Sequence, residues 1–119
     1  RRDPKDARAS FTLGDLYLTK GDAKRSLPFL DRAAEVYPNE FDTRFALGRA
    51  LLQTGEFSRA VSELRAAIKL GDAIADGHYQ LGRALIKAGA PEEGRKELER
   101  ASELHNAKRA SERQRLPNP

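Results

Sequence analysis

The sequence predicts an all-α solenoid of stacked two-helix units, and three observations predict it. A Leu-Gly pair comes three times at a spacing of 34 residues, as Leu13-Gly14, Leu47-Gly48 and Leu81-Gly82. A second glycine follows each pair, at Gly21, Gly55 and Gly89, and superposing blocks 7–40, 41–74 and 75–108 adds two invariant columns, Leu30/Leu64/Leu98 and Ala33/Ala67/Ala101. Helix formers dominate the composition, and no β-branched run of the kind a strand needs is present. A fixed period of this length, with one glycine in mid-helix and one at a helix end, marks a repeated helical hairpin.

The elements follow in order. Residues 1–6 lead into α1, expected over 7–20 with Pro4 or Asp6 near its start. Gly21 closes it, because a helix ends most cheaply on a residue that tolerates positive φ. Asp22 is placed to cap α2, expected over 23–37. Pro28 removes the hydrogen bond to the Lys24 carbonyl, but close to the first turn it should bend α2 and not break it. Helix α3 (41–54) stops at Gly55, and α4 (57–70) closes on Gly71-Asp72. Helix α5 (75–88) precedes Gly89, and α6 begins at Pro91 with Glu92 and Glu93 on its positive end. The mid-helix glycines Gly14, Gly48 and Gly82 are expected opposite Ser26, Ala60 and Gly94, where a missing Cβ lets two helices approach. The repeat fails after 108, since the next Leu-Gly pair is due at 115–116 and Arg115-Leu116 stands there. Helix should persist through 107–116 to Pro117-Asn118-Pro119, either folding along the end of the stack or leaving Leu98, Leu104 and Leu116 for weak pairing with a second copy.

These columns resemble the tetratricopeptide repeat, a helix-turn-helix unit of 34 residues, over 7–108. The resemblance implies a right-handed superhelical solenoid of six antiparallel helices, with 1–119 forming one domain and 109–119 a basic extension. Two features of the family pattern are weak. Its terminal proline survives only as Pro38, and its tryptophan is replaced by Ser10, Arg44 and His78. His78 is therefore read as an inter-repeat contact.

The resemblance also implies the function class, a protein-interaction module in which the first helix of each repeat lines a concave groove. Carried onto this sequence, the groove is an aromatic column Phe11/Phe45/Tyr79, an aliphatic column Leu18/Leu52/Ile86 and a polar column Asp15/Arg49/Arg83. The ligand this suits is a peptide or partner segment with apolar anchors and an acidic group. Asp15 makes the first-repeat end less hospitable to anions. Two other readings stay open at this point: the rings fill the space beside the missing tryptophans, or Arg49 pairs internally with Asp15 or Asp42. The carboxylate clamp of chaperone-binding members is not matched, since Phe11, Asp15, Ala46, Asp76 and Gln80 stand at its positions.

Other function classes find less support. Net charge is +4, but the excess sits in Arg1 and Arg2 and in Lys108, Arg109, Arg113 and Arg115 against Glu112. Nucleic-acid binding through these basic ends is one alternative, and a self-associating spacer is another. Cysteine is absent, which excludes thiolate metal sites and cysteine nucleophiles. The Leu-Gly-Arg-Ala runs lack the lysine-hydroxyl ending of a phosphate loop, and His78 and His105 lack metal-ligand spacing. No catalytic residue, cofactor or metal site is expected. No apolar run approaches membrane-helix length. The start at Arg1 and the lack of methionine suit a segment of a longer protein.

Overall fold

The structure is a computed structural model that describes residues 4–115. Among them are six helices and no strand: α1 (Pro4–Thr19), α2 (Ala23–Val36), α3 (Phe41–Gln53), α4 (Phe57–Leu70), α5 (Ala75–Lys87) and α6 (Pro91–Arg115). Arg1, Arg2, Leu116 and the final Pro117-Asn118-Pro119 lie outside the described residues. Helix α1 begins earlier than expected, at Pro4.

Local chemistry sets the boundaries. Gly21, Gly55 and Gly89 have φ of 84°, 86° and 94°, and no atom stands within 4 Å of where a Cβ would be, so backbone conformation and not crowding selects glycine there. The next amide reaches back in each case, from Asp22 to the Tyr17 carbonyl at 2.8 Å, Glu56 to Leu51 at 2.9 Å and Ala90 to Leu85 at 2.8 Å. This is the bond that satisfies an orphan carbonyl in a Schellman ending. The Asp22 carboxylate accepts from the Arg25 amide, as its capping position predicts. Helix α2 runs unbroken through Pro28.

Hairpins α1/α2, α3/α4 and α5/α6 stack through contacts of α2 with α3 and α4 with α5, giving a body of 54 × 38 × 25 Å. Leu30, Leu47, Leu51 and Leu64 are fully buried at its centre. A Cβ on mid-helix Gly14, Gly48 or Gly82 would first meet the invariant leucine of the second helix. A Cβ on Gly14 would lie 2.7 Å from Leu30 Cγ, on Gly48 2.5 Å from Leu64 Cγ, and on Gly82 2.8 Å from Leu98 Cγ. The invariant leucine thus fills the hollow left by the invariant glycine. In the third hairpin small residue also meets small residue, a Cβ on Gly94 falling 2.7 Å from the Gly82 carbonyl oxygen.

The slots of the missing tryptophans hold polar tethers. Arg44 donates from Nε to the Pro38 carbonyl at 2.8 Å and from Nη1 to Glu63 at 2.7 Å. One period on, His78 Nε2 lies 2.6 Å from the Asp72 carbonyl and Nδ1 2.6 Å from Glu97. Each tether joins the turn before its helix to the second helix of its own hairpin, so His78 is an inter-repeat contact and more. A carbonyl oxygen only accepts, so His78 Nε2 carries a proton. Ser10, in the first repeat, is buried and too short for this role.

Beyond the repeats α6 continues without interruption to Arg115. It does not turn back along the end of the stack, and residues 105–115 are all exposed. The reason is local: without Gly or Pro over 107–115, nothing there interrupts the hydrogen-bond ladder of the helix. No helix among the described residues is long and apolar enough to cross a membrane.

Candidate functional site

The nine groove residues occupy equivalent positions on α1, α3 and α5, and their environments change along the stack. Leu18 and Leu52 are buried in the core, whereas Ile86 is 39% exposed. Phe11 and Phe45 are half-buried against the core, whereas Tyr79 is 47% exposed. Periodicity puts all six on one face, but the first two repeats have a following unit to cover them and, among the described residues, the third has none. Leu18 and Leu52 accordingly serve packing, and of these six residues Tyr79 and Ile86 on α5 are the ones open to solvent.

The rings and cations behave as their four-residue spacing requires. The Arg49 guanidinium lies over the Phe45 ring at 5.7 Å from its centroid, and Arg83 over Tyr79 at 5.9 Å. Phe45 is further held by stacking on Phe41, centroids 5.3 Å apart. Spacing alone does not reveal this second ring, because Phe41 stands outside the aromatic column. Among the described residues Arg49 makes no ion pair with Asp15 or Asp42, and Arg83 makes one hydrogen bond, to the Gln80 side chain at 3.2 Å. Asp15 is exposed and likewise unpaired among them. Both guanidiniums therefore keep donors free, and a cation stacked on a ring needs little rearrangement to grip a carboxylate.

Other cations are committed. Arg8 binds Glu40 through both terminal nitrogens, at 3.1 and 2.6 Å, and rests 4.1 Å over the Tyr37 ring. Hydrogen bonding to Glu40 raises its pKa. Arg59 pairs with Asp31 at 2.6 Å between α4 and α2, which raises its pKa for the same reason, and Arg65 pairs with Glu93 between α4 and α6. These bridges tie successive second helices together on the far side of the stack.

Sequence reading missed the apolar pocket of about 380 Å³ between α5 and α6, lined by Asp76, Tyr79, Leu98, Ala101, Ser102 and His105. Its signal was present as small residues, Ala75 and Ser102, where the preceding repeat has Phe41 and Ile68. Among the described residues no three His, Cys, Asp or Glu side chains converge as a metal site would require.

The profile of the tetratricopeptide repeat family matches residues 1–41 and 45–111. No curated protein matches the sequence significantly. Among solved structures, MamA from MSR-1 is 27% identical with a TM-score of 0.80, over 88% of this chain and 60% of its own. YrrB, described as a tetratricopeptide repeat protein with an unusual peptide-binding site, is 25% identical with a TM-score of 0.78, over 83% of this chain and 51% of its own. The first such domain of human RPAP3 shares the fold at 20% identity, with a TM-score of 0.76 over 86% of this chain and 80% of that domain. The chain thus spans about 60% of the length of MamA and about half that of YrrB.

Proposed function

The chain belongs to the tetratricopeptide repeat family, and from that premise we propose that its groove face, centred on α3 and α5, binds a short peptide with apolar anchors and at least one acidic group. The observation that carries this reading is the paired ring and guanidinium on adjacent helices, Phe45 with Arg49 and Tyr79 with Arg83, neither cation engaged in an ion pair among the described residues. The rings supply rigid apolar contact, and a guanidinium fork suits a carboxylate held through two parallel hydrogen bonds. Asp15 at the first-repeat end disfavours an anion there, which orients the ligand with its acidic group toward Arg49 and Arg83. That YrrB carries a peptide-binding site on the same fold supports the ligand class.

The test is a peptide-library screen followed by titration of the selected peptides. Arg49→Glu and Arg83→Glu should each weaken acidic ligands while leaving the thermal midpoint near that of the parent, since neither side chain ties elements together. Tyr79→Ala should cost about 1–3 kcal/mol of binding as a half-exposed aromatic anchor is lost. Affinity unchanged in all three variants would move the binding surface elsewhere.

A further inference from the structure

We infer that the open face of the third repeat is a docking site for a second copy of this chain, which lays its α6 antiparallel against the first. The internal repeats show what this face is built to hold. In the second hairpin the corresponding face is covered by α5, where a Cβ on Gly77 would be in van der Waals contact with Phe41 at 3.4 Å and Ile68 at 3.5 Å. The covering helix follows α4 through a short turn and so runs antiparallel to it. One period later the equivalent face, containing Ala75 and Ser102, stands open as the pocket beside Tyr79 and Leu98. The residues in register to cover it begin at 109, and they are already used as the continuation of α6. A second copy can supply a helix antiparallel to α6, because a two-fold axis gives its α6 that direction.

Charge selects α6 itself as the occupant. Its first half is rich in acid, including Glu99 and Glu103, and its exposed last turns carry Lys108, Arg109, Arg113 and Arg115 against Glu112 alone. Glu99 and Glu103, and likewise Arg109 and Arg113, are like charges one turn apart, and none of the four has an ion-pair partner among the described residues. Such spacing disfavours an isolated helix. An antiparallel pair whose axis passes near Asn106 sets Glu99 opposite the other copy's Arg113 and Glu103 opposite its Arg109, twice over by symmetry. The surface borders the proposed peptide site at Tyr79, and the two are told apart by variants at Glu99, Glu103, Arg109 and Arg113, which leave Phe45, Arg49, Tyr79 and Arg83 unchanged.

Sedimentation velocity of the purified chain, freed of nucleic acid with nuclease, tests it across about 10 μM to 1 mM. The wild type should shift from monomer toward dimer as concentration rises, and added salt should reverse the shift. Variants Glu99→Lys/Glu103→Lys and Arg109→Glu/Arg113→Glu should each remain monomeric, with helical circular dichroism unchanged. Mixed in equal amounts, they should form a heterodimer at lower concentration than the wild type self-associates. A monomeric wild type at the highest concentration would overturn the inference. So would dimers that persist unchanged in both variants, a mixture that fails to associate, or association that vanishes with nuclease and returns with added RNA or DNA.

Discussion

His78 shows how one residue type can change a repeat. Where its family places tryptophan, this chain puts a 7%-exposed imidazole between the Asp72 carbonyl and Glu97, and Arg44 makes the matching pair of bonds in the unit before. A tryptophan would hold this junction by area; these side chains hold it by directed bonds, which also fix the angle between the turn and the hairpin. His78→Ala deletes both bonds and leaves a cavity in a buried site. Loss of about 2–4 kcal/mol is expected in urea unfolding, in line with two buried hydrogen bonds and a void. A change below about 0.5 kcal/mol would mean that the tether contributes nothing beyond a surface interaction.

At the scale of the helix pair, the crossing of α3 with α4 depends on one absent methyl group. Leu64 occupies the space beside Gly48 so fully that an added Cβ would stand 2.5 Å from its Cγ, far inside contact distance. The helix-propensity cost of a mid-helix glycine, roughly 1 kcal/mol, is thus offset by close approach and a fully buried leucine. Gly48→Leu should overpack the crossing and destabilise the fold by about 1–3 kcal/mol or more, seen as a lowered thermal midpoint. A midpoint unchanged or raised would show that the crossing has slack which the close contact with Leu64 denies.

For the whole molecule, stability should vary along the stack because each hairpin contacts only its neighbours. Leu64 is fully buried in the middle unit, whereas its equivalent Leu98 is only half-buried at the open end. Leu64→Ala should therefore cost about 2–5 kcal/mol, and Leu98→Ala no more than about half as much. Equal losses in dilute protein, where no second copy covers the end, would contradict this gradient. Hydrogen exchange should follow the same order, slowest in α3 and α4 and fastest over 105–115, where the helix has no tertiary cover.

The sequence by itself determined the six helices, their order, the glycine ends and the columns that share a face. Those depend on local rules: which residues tolerate positive φ, which side chains cap, and which spacings return after whole turns of helix. Tertiary structure alone decided which members of a column are open. Leu18, Leu52 and Ile86 are indistinguishable by register, yet two are interior and one is surface, because cover is supplied by the next unit and no unit among the described residues follows the third. The same holds for the leucine that fills each glycine hollow, for the bonds of Arg44 and His78, and for the ring of Phe41 behind Phe45. Each joins residues whose meeting depends on how two helices cross. A repeat period specifies directions around a helix axis, and the crossing angle and the neighbour decide what those directions meet.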